Sequence, residues 1–196
     1  MKTQLDADRI GDWMMTASGT RFYPRDPRPD EILISDIAHH LGRVCRYGGA
    51  VQGHYSVAEH CCLLADFFAF TWSSTPAEKT KNARWALLHD GAEAYIGDLI
   101  RPIKPSLPEF AAIEAPLERM IWQKFGLGAV MPAKVKWADS EIIGDERAGL
   151  FSAKSLKLAE WRPVAGLGIV VRQWTPGQAT VQFLSRFARL FPELAA

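Results

Sequence analysis

The chain has little cysteine, no uninterrupted apolar stretch of membrane-spanning length and almost no net charge, and each shortage closes off a class of protein. Its three cysteines, Cys45, Cys61 and Cys62, show no CxxC pair and no Cys/His finger spacing. Neither a disulfide framework nor a structural zinc site is therefore indicated. They read as reduced thiols, which points to the cytoplasm. The segment Met1–Arg9 lacks the apolar core of a secretion signal, and the longest apolar runs are broken by charges such as Asp66, so no membrane association is expected. Lys and Arg total 23 against 22 Asp and Glu. A surface so balanced gives no long-range field for a nucleic-acid polymer, but it can accept a small anion met by a few local cations.

What is present is enough for one domain. At 196 residues and 48% hydrophobic content, a single unit spanning residues 1–196 buries about 70% of its unfolded surface. The patch from Trp13 to Tyr23, broken by Ser18-Gly19, predicts a short β-hairpin near the N-terminus, ended by the Pro-rich segment Pro24 to Pro29. Beyond it the periodicity turns helical, and the expected class is all-α. Ile37, Leu41 and Val44 mark a first helix from Ser35, with Gly48-Gly49 as its stop. Ser56 and Glu59 form an S-x-x-E capping box for a second, which places His60 in its first turn.

A third helix is expected over residues 77–95 after Pro76, and the three prolines between Gly97 and Pro108 make a loop. Phe110, Ile113, Leu117 and Ile121 mark a fourth helix, closed by Gly126 and with Pro116 as a kink. Pro132 opens a fifth that runs to about residue 158. A short strand pair is expected near Leu167 to Trp174, then an amphipathic helix from about Pro176 to Phe191. Trp174, Phe183 and Phe187 in this last third read as core or as an oligomer surface.

The pair His89-Asp90 carries the chemistry. Neighbouring positions on a helix point about 100° apart, so an imidazole and a carboxylate there converge on one ion only at the helix edge, and further ligands must come from other helices. His60 in Tyr55-Ser56-Val57-Ala58-Glu59-His60 and Asp139 in Lys136-Trp137-Ala138-Asp139 stand where they can supply them. Two nitrogen and two oxygen donors suit one borderline divalent metal with open positions. Glu93, four residues after His89, falls on the same helical face one turn on. A phosphate ester would also need cations, and Arg46, Lys104 and Lys136 are the candidates. Tyr47 is placed to stack on a sugar or base. His54 is available to phosphate or a second ion, and at least one of His39 and His40 is expected to be exposed.

The order H…HD…D resembles the HD-domain metal-dependent phosphohydrolases. Its flanks, Asp36-Ile37-Ala38, Cys45-Arg46-Tyr47-Gly48-Gly49, Leu88-His89-Asp90-Gly91-Ala92-Glu93-Ala94-Tyr95, Gly97-Asp98 and Arg101-Pro102-Ile103-Lys104, are similar to the small bacterial 5′-deoxynucleotidases and to phage deoxynucleoside triphosphohydrolases. The resemblance implies an HD-type helical bundle with its core over roughly residues 33–160. It also implies one Co, Mn, Zn, Ni or Fe ion and a homo-oligomer, a dimer or larger. Glu93 would orient or deprotonate the attacking water and Asp98 would assist. Tyr47 stands where those deoxynucleotidases tend to have tryptophan. The substrate it implies is a deoxynucleoside monophosphate, with a triphosphate cleaved at its α-phosphorus as the alternative and a noncatalytic nucleotide sensor as a reading of another class.

Overall fold

Ser56 and Thr75 fix the two helices around which the rest is built. Ser56 Oγ accepts from Glu59 N at 3.1 Å to open α2 (Val57–Asp66), and Thr75 Oγ1 accepts from Glu78 N at 3.3 Å, followed by Pro76, to open α3 (Pro76–Leu88). In this computed structural model, which describes residues 8–158, 160–161 and 163–194, α2 is the central helix. It packs against α3, against α6 (Ala133–Leu150) and against α8 (Pro176–Leu190). Most of its length is buried, including His60, so any polar group it carries must find a partner inside.

α1 (Ile34–Leu41) lays Ile37 and Leu41 on the same core and contacts α8 and the short α4 (Glu93–Ile96). Leu64, Phe68, Leu87, Leu88, Leu117, Phe183 and Phe191 are among the other fully buried side chains. Of the C-terminal aromatics, Phe183 and Phe187 are core and Trp174 packs against it. The class is all-α with a short N-terminal hairpin, β1 (Met14–Met15) pairing antiparallel with β2 (Arg21–Phe22) in the register Met14 to Phe22. Buried Asp36 on α1 accepts from Ser18 N at 2.8 Å and Ser18 Oγ at 2.7 Å, which ties the hairpin turn to the bundle. Residues 1–7, most of the segment read for a secretion signal, lie outside the described residues. Among the described residues no helix is long and apolar enough to cross a membrane.

Several expectations are corrected. The first helix ends at Leu41, before Gly48-Gly49, and Arg46–Gly49 form a separate turn. α3 stops at Leu88 instead of running to residue 95. From there the backbone tightens to three-residue hydrogen bonds, Gly91 N to Leu88 O at 3.1 Å and Glu93 N to Asp90 O at 3.0 Å, before α4. A Cβ on Gly91 would lie 3.1 Å from Ile121 Cγ2, so this glycine permits the close passage of α5 (Pro108–Lys124), which does contain Pro116. α6 ends at Leu150, with the separate α7 over Ala153–Leu158.

The strand pair near Leu167 to Trp174 does not form. That segment is irregular, with Gly168 and Gln173 at φ 76° and 56°, and bonds to carboxylates instead of to another strand. Asp145 on α6 accepts from Leu167 N at 2.6 Å and Gly168 N at 3.2 Å. Glu59 on α2 accepts from Arg172 N, Gln173 N and Trp174 N at 2.6–2.9 Å. Only the serine half of the predicted capping box therefore exists, because the Glu59 carboxylate is committed to the backbone of residues 172–174.

Candidate metal centre

Three elements bring their side chains to one point. His60 comes from the buried first turn of α2, His89 and Asp90 from the tightened turn after α3, and Asp139 from the second turn of α6. His60 Nε2 stands 3.1 Å from Asp139 Oδ1 and 3.7 Å from Asp90 Oδ2; His89 Nε2 stands 3.3 Å from Asp90 Oδ2 and 3.8 Å from Asp139 Oδ1. Donor atoms on an ion with bonds of about 2.0–2.2 Å sit roughly 3.0–3.5 Å apart at right or tetrahedral angles, so two of the four spacings match a shared ion and the other two exceed it by a few tenths of an ångström. His60, His89 and Asp139 each offer an atom within 4.8 Å of the others.

The decisive observation is that both Nε2 atoms are buried and neither has a hydrogen-bond partner. Each ring is held from behind. His89 Nδ1 donates to Ala86 O at 2.8 Å and His60 Nδ1 to Glu146 Oε1 at 2.7 Å, the outer arrangement that orients metal-binding imidazoles. Burial works to lower the His89 pKa, but Asp90, Cys61 and Asp139 together outweigh it and raise it well above the usual value. Burial likewise works to raise Asp139, but the two imidazoles bring it well below. The site demands positive charge between its carboxylates. A divalent cation fits that demand, and His60, His89 and Asp139, with Asp90 beside them, can hold a metal ion.

The remaining predicted residues divide. Glu93, now on α4 instead of a continuing α3, is buried with Oε2 unpartnered; burial first, then Asp90 and Asp98, raise its pKa. Asp98 is half-buried in the loop that follows, its pKa raised by burial and by Asp90, with Arg46 and His60 opposing. Arg46 enters the cluster, Nη1 lying 3.4 Å from Asp90 Oδ2 and Nε 3.4 Å from Glu146 Oε1. Tyr47 gives its hydroxyl to Glu146 Oε2 and sets its ring edge on Phe151, 5.5 Å between centroids.

Lys104 is occupied by Glu114, 2.8 Å away. Lys136 is exposed one turn before Asp139 and makes no side-chain bond among the described residues. His54 hydrogen-bonds the Gly42 carbonyl at 3.0 Å and faces Cys45 Sγ at 3.5 Å, a structural position beside the bridge that joins Cys45 to Ser56. Both His39 and His40 are half-buried. His40 Nδ1 donates to Ala94 O at 2.8 Å, and its Nε2 accepts from Ala17 N at 3.1 Å.

Sequence reasoning missed Glu146, which is wholly buried and accepts from His60, Tyr47 and, at 2.8 Å, Tyr55. Burial acts to raise its pKa, but Arg46 and His60 bring it down to about 2. The only signal for it was its place seven residues after Asp139, two turns on along one face. Glu118 on α5 was also missed. Burial, then Glu114 and Asp90, push it up to about 7, which marks an acidic rim beside the cluster.

Fold and site together define an all-α protein with a buried His/Asp cluster fit for a divalent metal ion. No family model matches the chain. It is 33% identical over 181 residues to the Uncharacterized protein YfdR of Escherichia coli (strain K12), covering 89% of this chain and 93% of that protein. It is 32% identical over an alignment of 197 positions to the Uncharacterized protein RCAP_rcc00048 of Rhodobacter capsulatus, covering 93% and 97%. The chain belongs to one family with these two proteins.

Proposed function

We propose that the protein is a cytoplasmic, homo-oligomeric HD-domain phosphohydrolase. It uses one transition divalent ion, of the Co, Mn, Zn, Ni or Fe group, to hydrolyse a small deoxynucleotide. Its substrate is a deoxynucleoside monophosphate, released as deoxynucleoside and orthophosphate. The observation that carries this reading is the pair of orphaned Nε2 atoms converging on Asp90 and Asp139 with an acid, Glu93, and a cation, Arg46, beside them.

His60, His89, Asp90 and Asp139 hold the ion. When bound, it supplies Lewis acidity and a lowered pKa for water. Glu93, whose Oε2 has no partner within the fold, takes the proton of the attacking water, and Asp98 holds that water in line. Arg46 presents its guanidinium to the phosphate oxygens as charge develops on them. Water is excluded from the back of the site by α2, where Cys61 and Leu64 are fully buried.

Two observations bear on the length of the phosphate tail. Lys104 is neutralised by Glu114, which leaves Arg46 as the cation in contact with the cluster and favours a monophosphate. The unengaged Lys136, one turn before Asp139, favours the triphosphate alternative, since a longer tail could reach it. The test is to strip the protein with chelator, reload it with each divalent ion, and identify products from a panel of deoxynucleoside mono- and triphosphates. Orthophosphate from monophosphates is expected. Inorganic triphosphate would replace that assignment with the α-phosphorus reaction. Metal and nucleotide binding without turnover would make the protein a sensor, and a wild-type protein that retains no ion would overturn the metal reading itself.

A further inference from the structure

Glu146 is an expensive residue to place in this core. Its side chain is fully buried, and an ionised carboxylate removed from water persists only when its acceptor sites are filled and its charge is met. Here they are filled by groups from three separate places. His60 Nδ1 donates to Oε1 at 2.7 Å, and Tyr55 OH, which immediately precedes α2 and its Ser56 cap, donates to the same oxygen at 2.8 Å. Tyr47 OH donates to Oε2. The charge is met by Arg46, whose Nε lies 3.4 Å from Oε1.

These partners belong to two functional parts. His60 is a proposed ligand, and the bond behind its ring decides which nitrogen offers a lone pair to the cluster. Arg46 and Tyr47 belong to an arm, residues 46–55, whose neck is closed by the bridge between Cys45 and Ser56 and by Arg46 N bonding Tyr55 O at 3.0 Å. The arm is not relaxed. Tyr47 has φ 58°, the left-handed region that a bulky side chain avoids, followed by Gly48 and Gly49 at 59° and 75°. A residue stays in such a conformation only where its surroundings over-determine it. The two contacts that do so are the hydroxyl bond to Glu146 and the ring edge on Phe151. The strained turn in turn places Arg46, the preceding residue, with its guanidinium between Glu146 and Asp90.

We propose that Glu146 is a positioning residue that couples the metal centre to the phosphate-binding arm, holding the back of His60 with one oxygen and the Tyr47 hydroxyl with the other. The inference rests on the metal reading given above. It adds that ion binding and arm order are linked through one carboxylate that touches neither ion nor substrate, and that the linkage is reciprocal. A cation on His60 makes its Nδ1–H a stronger donor and fixes Glu146, and a fixed Glu146 fixes Tyr47 and with it Arg46.

The experiment compares full-length wild type, Glu146→Gln and Tyr47→Phe. It measures Co²⁺ affinity by calorimetry, the visible absorption of the Co²⁺ form, and hydrogen–deuterium exchange over residues 45–56 with and without saturating Co²⁺. Circular dichroism checks that each variant is folded. In wild type, Co²⁺ should slow exchange in the arm. Glu146→Gln should bind Co²⁺ about 10- to 100-fold more weakly, with a shifted absorption band, and saturating Co²⁺ should no longer protect its arm. Tyr47→Phe should keep the wild-type band, bind Co²⁺ more weakly than wild type but more tightly than Glu146→Gln, and exchange rapidly in the arm whether or not Co²⁺ is bound. Co²⁺ affinity within threefold of wild type in Glu146→Gln, or a wild-type arm indifferent to Co²⁺, would overturn the coupling while leaving the metal centre standing. Absence of Co²⁺ binding in wild type would instead overturn the metal reading, and the coupling with it.

Discussion

A residue's role at this site is set by which of its atoms lacks a partner. The two imidazole Nε2 atoms and Glu93 Oε2 are all buried and unsatisfied, yet they differ in what surrounds them. The nitrogens face carboxylates, whereas burial, with Asp90 and Asp98 nearby, raises the proton affinity of the Glu93 carboxylate. Asp139→Ala should therefore lose metal and activity together. Glu93→Gln should keep its metal and lose turnover by about 10²- to 10⁴-fold, because only the proton acceptor is gone. Elemental analysis beside single-turnover rates separates the two; a metal-free Glu93→Gln would make Glu93 a ligand, and a fully active one would pass its role to Asp98. The four proposed ligands could be singled out in the sequence because each sits in a distinctive run of neighbours. Glu146 was not, since a helical glutamate is ordinarily a surface residue and its burial depends on Tyr47 and Tyr55, which lie far away along the chain. Nor could the sequence show that Glu114 would take Lys104.

Among the elements, helices with strong periodicity and a proline or hydroxyl at the start were read nearly to the residue, as α5 and α8 illustrate. The failures lie where side chains do the work of backbone. The segment 167–174 carries the β-branched run Ile169-Val170-Val171, but its flanking amide hydrogens are taken by Asp145 and Glu59, which no local pattern announces. Glu59 in particular replaces a whole strand edge with one buried carboxylate. Glu59→Ala should cost about 3–5 kcal/mol, since three inward-facing N–H groups lose a charged acceptor together. Denaturant unfolding in the presence of chelator measures this free of any metal contribution. A loss below about 1 kcal/mol would mean that water or another acceptor satisfies the segment.

For the molecule as a whole, the candidate metal centre lies where α2, the end of α3 and α6 meet, elements also joined by the His60–Glu146 bond and the Lys134–Glu78 ion pair. An ion bound to the folded state alone should stabilise it by about 2.7 kcal/mol at a hundred times its Kd, a rise of roughly 5–10 °C in Tm for a domain of this size. Thermal unfolding with Co²⁺ and with chelator tests this, and coincident curves would mean that the cluster holds no ion. The spread of the ligands along the chain has a further effect during biosynthesis. His60 leaves the ribosome about 80 residues ahead of Asp139, an interval of roughly 4–16 s at ordinary elongation rates. Throughout it the nascent chain displays Cys61, Cys62 and His60, then His89, as soft donors without the carboxylate that completes the native set. A scavenging ion met at that stage finds no preformed geometry. Under the proposed metal reading, the full ligand set therefore exists only in the finished polypeptide, after translation has delivered α6.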